Sequence, residues 1–223
     1  MPDTTPGKID MTPSRMIWSV AMKDYNKNKA LVLDGEESFA RAVALGVLVK
    51  RPLSAWHFLL PGMFLFDFLR RNSETRRYSD FFLFPRKLAL KGALEILNGE
   101  DRKEILSQIG DDIRHWLVSL NLHSERLHRK HMDVIDLLID HYSKLLHAEG
   151  NNYPGLIKDA YSARESFEAY LHRLSTTEQE VDHAIAEIRG ETKEIMERLR
   201  VEQVQVTELR TKEVNRVFSR TGD

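Results

Sequence analysis

Two tetrapeptides in this chain have the spacing of metal-binding helices. Glu125-x-x-His128 and Glu180-x-x-His183 each set a carboxylate and an imidazole one helical turn apart on one face. Helical bundles hold carboxylate-bridged di-metal centres with that spacing, plus one Glu from each of two further helices. Glu95 offers one such partner and Glu165 or Glu168 another. The set does not close. Val181 lies on the apolar seam of its predicted helix, so His183 points away from it, and Glu168 sits on the same helix as Glu180. Glu-x-x-His also recurs by chance in a Glu-rich helical chain. The expectation is no metal and no cofactor, with Glu125, His128 and Glu178 as the residues on which a metal would depend. A soluble helical-bundle metal enzyme of di-iron type is the alternative to which they belong.

A smaller chemical claim concerns polar residues inside apolar seams. If the chain folds back near residue 151, Ser124 comes level with Glu178 and His131 with His172. Isolated polar seam residues set register. His128 and His131 would add a pH response between about pH 5.5 and pH 7.5. Other chemistry is missing. There is no Gly-rich phosphate loop and no Gly-x-Ser-x-Gly elbow. The chain has no cysteine, which excludes thiolate metal sites, cysteine catalysis and disulfides. No catalytic residue can be assigned, and a non-enzymatic role is favoured. The net charge of -1 supplies no basic field for nucleic acid, so that partner is excluded. Arg198, Arg200, Arg210 and Arg216 have glutamates beside them and read as a solvated face.

The elements that must position these residues are helices throughout. Residues 1–12 read as a loose polar tail without the order of a signal peptide. Thr12-Pro13 is a helix-start signal. Asp34-Gly35 punctuates, and a second helix runs from about Glu36 toward Pro52. Pro85 opens a helix that Asn98-Gly99 closes, and a short helix follows to Gly110. From residue 112 to 148 one long helix is expected on a 4-3 seam of Ile113, Leu117, Leu120, Ser124, Leu127, His131, Val134, Leu138, His141 and Leu145. After the turn at 150–155 the spacing resumes from Phe167 to Leu209, with Gly190 weakening the helix without breaking it. The first arm is about 54 Å long at helical rise. The second overshoots it, so its last part projects as an extended coiled coil toward a protein partner or a second copy of the chain.

One segment stands apart. Twelve of the 17 residues from 53 to 69 are apolar, and seven of the ten phenylalanines fall between 58 and 84. Lys50 and Arg51 precede the run and Arg70 and Arg71 follow it. An unbroken helix of this length would be about 26 Å long, just short of a bilayer's hydrocarbon core. Pro61-Gly62 breaks it at the midpoint, and basic flanks on both sides prefer the cytoplasmic face. A re-entrant helix pair therefore fits better than a span. Trp56, Phe58, Phe64, Phe66 and Phe68 would insert, and Lys50, Arg51, Arg70 and Arg71 would bind anionic headgroups. The competing reading is a buried core pair in a soluble coiled-coil regulator. The sequence thus predicts an all-α protein: residues 13–110 a membrane-docking helical unit, and residues 111–223 a long antiparallel hairpin with an extended C-terminal coiled coil. Its expected role is a membrane-peripheral scaffold or adaptor at the cytoplasmic face of a membrane.

Overall fold

The computed structural model describes residues 13–49 and 63–219, with side chains for residues 25–46 and 75–219 apart from 194 and 198. Among these residues all regular structure is helical. In chain order the helices are α1 (Pro13–Val49), α2 (Met63–Leu97), α3 (Arg102–Ser119), α4 (Glu125–His147), α5 (Tyr153–Tyr161), α6 (Arg164–Arg189) and α7 (Lys193–Phe218).

α4 is the hub, touching α1, α2, α3, α5 and α6. Its face of Leu127, Val134, Ile135, Leu138, Ile139, Tyr142, Leu145 and Leu146 is buried. Each such side chain contributes about 1.5–3 kcal/mol by leaving water. The expected seam of the first arm is present: Ile113, Leu117, Leu127, His131, Val134, Leu138, His141 and Leu145 are all buried. The arm itself is not one helix. α3 stops at Ser119, Asn121 takes a left-handed φ of 54°, and Ser124 starts α4 by accepting from the Leu127 N–H at 3.4 Å. A residue that tolerates the left-handed region, followed by an N-cap hydroxyl, is a helix break. Ser124 is thus a cap and not a seam residue.

The second arm breaks twice. Ser162 adopts φ 54° between α5 and α6. Gly190, at φ 83°, ends α6, and Thr192 caps α7 through the Ile195 N–H. Glycine reaches this backbone region without strain, so the expected uninterrupted passage through residue 190 is replaced by a reversal. α7 runs back along α6 and also packs on α1 and α5. Val206, Val214 and Val217 are buried there, so this part of the chain does not project.

α4 and α6 are antiparallel, with Arg126 on Glu187 at 2.7 Å and Lys130 on Glu180 at 2.7 Å. This register differs from the expected one because α5 takes up residues 153–161 across the end of the pair. Neither Ser124 and Glu178 nor His131 and His172 come level; His172 is exposed.

α1 and α2 are antiparallel too, joined by Glu37–Lys87 at 3.1 Å and by the rings of Phe39 and Phe82 at 5.9 Å. α1 runs straight through Asp34-Gly35. Gly35 is a packing notch: a Cβ there would lie 2.5 Å from the Tyr153 ring. Pro85 lies inside α2 and does not open it. Its missing N–H costs one ladder bond, and packing of α2 on α1 and α4 carries the helix through. Asn98-Gly99 does end α2, with Gly99 at φ 101°. α1 is tied to α4 by Asn28, whose side-chain amide donates to the carbonyls of Leu146 at 3.0 Å and Ala148 at 2.8 Å. Carbonyls at a helix end have no partner inside the helix, and a buried amide supplies it.

Candidate functional site

Four charged side chains from four helices form a chain through the interior. Glu36 of α1 pairs with Arg86 of α2 at 3.1 Å. Arg86 reaches Glu178 of α6 at 2.7 Å, and Glu178 reaches Arg210 of α7 at 2.8 Å. Hydroxyls close both ends: Tyr142 donates to Glu36 at 2.9 Å, and Arg210 donates to the Ser175 oxygen at 2.6 Å. The Arg86 guanidinium also sits 3.8 Å over the Phe82 ring. Burial works against both ionised partners. Against it, Glu178 and Glu36 hold Arg86 firmly protonated. Burial likewise opposes the Glu178 carboxylate, and Arg210 and Arg86 outweigh it and hold its pKa below the ordinary value. Two cations and two anions with satisfied geometry form a neutral unit that tolerates burial as a whole and not in part.

A cleft of about 110 Å³ opens beside this chain. Phe81, Phe82 and Trp116 form one side, Val181, Ile185 and Val206 another, and the charged chain meets it at Arg86, Glu178 and Arg210. Trp116 is stacked by Phe84 at 5.0 Å and leans on Phe81 at 4.9 Å. Among the described residues, two titratable groups on the cleft wall, Asp182 and His131, have no ion pair. Asp182 receives a hydrogen bond from the Gln203 amide at 2.9 Å, and burial raises its pKa to about 7. His131 is buried edge-on to Trp116, and its Nε2 has no hydrogen-bond partner. Burial first, and His128 second, lower its pKa to about 4. Next to the chain, Glu213 is raised to about 7 by burial and then by Glu36. His141 shares a 2.7 Å hydrogen bond with the Tyr161 hydroxyl and stacks on Tyr170 at 4.3 Å; burial lowers its pKa to about 3.

The metal-ligand candidates are not brought together. Glu125 is exposed and lies 4.0 Å from Arg114. His128 donates from Nε2 to the Gly110 carbonyl at 2.9 Å. Glu178 is held between two arginines. Among the described residues no group of three or more His, Asp or Glu side chains could hold a metal ion. Arg210, read from sequence as solvated, is buried. Arg86, Glu36, Trp116, Asp182 and Gln203 were not singled out by sequence reasoning. The one local signal was a lone arginine directly after Phe-Phe-Leu-Phe-Pro, which an apolar face can accept only with a partner.

Of the expected membrane residues, Lys50, Arg51, Trp56 and Phe58 lie outside the described residues. Phe64, Phe66, Phe68, Arg70 and Arg71 lie in the first turns of α2, where the backbone is helical. No helix among the described residues is long and apolar enough to cross a membrane. Compared with known proteins, the chain matches no family model, no curated protein and no solved structure.

Proposed function

We propose that this protein is a membrane-peripheral helical scaffold or adaptor at the cytoplasmic face of a membrane. The observation that carries the reading is topological. α1 and α2 are an antiparallel pair, and the aromatic stretch from 53 to 69, bracketed by basic residues, follows α1 in sequence and runs into the start of α2. Among the residues whose side chains are described, the buried core runs from Val32 to Ala44 and from Leu83 to Val217. A stretch this apolar needs either enclosure or lipid, and membrane contact supplies the second. On the neighbouring flank Arg41, Arg76 and Arg77 line a groove with Asp80 and the paired Glu37 and Lys87, and their surplus of positive charge favours anionic headgroups. A protein partner or second copy engages the opposite arm in coiled-coil fashion, where Ile188, Met196 and Val204 are exposed around the α6–α7 turn.

The test is co-sedimentation with liposomes, with and without anionic lipid, beside the Phe64→Asp/Phe66→Asp variant. The parent should sediment with anionic liposomes, and a variant of unchanged helicity should stay in the supernatant. A well-folded parent that ignores liposomes leaves the soluble regulator as the reading and removes the membrane one.

A further inference from the structure

We propose that the cleft beside Asp182 is a binding site for a small organic cation with an apolar body of about one ring, such as an aromatic ammonium. This does not rest on the membrane reading.

Charge decides the sign of the ligand. The two cations at the cleft, Arg86 and Arg210, are already matched by Glu36 and Glu178. An entering anion would meet no uncompensated positive charge. Asp182 is the opposite case: a half-buried carboxyl on the wall whose hydrogen-bond partner is the neutral amide of Gln203. An ionised carboxylate without a counter-charge is costly to bury, and the raised pKa of Asp182 expresses that cost. A ligand ammonium would remove it.

The shape and the second polar group agree. A dry cavity of roughly 150 Å³ admits benzene, and about 110 Å³ in a cleft open to solvent suits a body of similar size. Trp116 and Phe81 offer aromatic surface that attracts cations. His131 lines the same cleft with its ring, while its Nε2 is enclosed and has no hydrogen-bond partner. Buried polar atoms are nearly always paired, and an orphan asks for an explanation. Burial keeps His131 neutral, so its ring does not repel an ammonium in the cleft. The ligand would thus ion-pair with Asp182 and lay its ring along Trp116, beside the neutral ring of His131.

Three probes of one shape and different charge test this: benzylammonium, benzyl alcohol and benzoate, titrated calorimetrically at low ionic strength. The parent should bind benzylammonium saturably, about tenfold more tightly than benzyl alcohol, the equivalent of one pKa unit, with benzoate weakest. Asp182→Asn, checked for unchanged helicity and melting temperature, should bind benzylammonium and benzyl alcohol alike. In the parent, the NMR resonance of the Asp182 carboxyl should move to its ionised position on addition of benzylammonium, a readout that needs no variant. No saturable binding, no preference for the cation, a preference that Asp182→Asn keeps, or an unmoved Asp182 resonance would each overturn the proposal.

Discussion

α4 and α6 lie side by side and are held in different ways. α4 buries eleven of its 23 residues, mostly large and apolar. α6 buries five of 26, two of them alanines. Apolar burial alone therefore secures α4 far better than α6. What α6 has instead is Glu178, gripped by Arg86 from α2 and Arg210 from α7. Polar groups inside the α4 side, such as His131 and His141, are kept neutral by burial. On the α6–α7 side they are kept ionised by each other, with Asp182 and Glu213 poised between the two forms. One bundle thus has an apolar half whose stability changes with volume and a charged half whose stability changes with pairing and pH. The cleft lies where the two halves meet, which is why it combines aromatic walls with uncompensated polar groups.

The sharpest way to break this comparison is Arg86→Met. It leaves Glu36 in the interior without its cation and Glu178 with Arg210 alone, and should cost about 3–5 kcal/mol, because removing one member of a buried ion set leaves charge uncompensated. Urea denaturation measures it. A cost below about 1 kcal/mol would mean that the charged chain is not what holds α6 and α7.

A smaller effect separates the halves by pH. Glu213 has a folded pKa of about 7, above its ordinary value of 4.5. The folded protein therefore binds more protons than the unfolded chain between these values, and this group's contribution falls as pH rises through the window. Glu213→Gln should stabilise the protein by about 2–3 kcal/mol at pH 8 and leave it nearly unchanged at pH 4. Thermal melts at the two pH values check this; an equal gain at both would point to packing.

The smallest effect belongs to the apolar half. His131 has a folded pKa of about 4 against an ordinary 6.5. The unfolded chain binds the extra proton between those values, so stability falls as pH drops through that window. The response thus lies lower than the pH 5.5–7.5 range the sequence suggests. His131→Leu also removes a buried unpaired nitrogen. It should gain about 1 kcal/mol at pH 7, with the gain growing toward pH 5. Melts of parent and variant across that range measure it, and a constant difference would show that His131 does not titrate on unfolding.

Much of the helical fold was legible. Eight of the ten seam residues from Ile113 to Leu145 are buried, all but Leu120 and Ser124 at the break, because a 4-3 pattern reports burial and not continuity. The breaks were written in Ser124 and Gly190, but each had a competing reading: Ser124 as a polar seam residue, Gly190 as a weak point in a long helix. Spacing alone does not choose between them. The site was barely legible. Glu178 was noticed for a metal and is in fact half of two ion pairs, and Arg210 was taken for surface.

By itself the sequence determined that the chain is helical, which faces of α3 and α4 go inward, and that residues 53–69 are an aromatic, basic-flanked stretch. These follow from local periodicity, which depends only on neighbours three and four residues away. Only the tertiary structure decided that α7 returns along α6, that α5 shifts the register of α4 against α6, and that Glu36, Arg86, Glu178 and Arg210 meet. Those outcomes depend on residues as far apart as 36 and 210 being buried together, where a charge survives only if another helix brings its opposite.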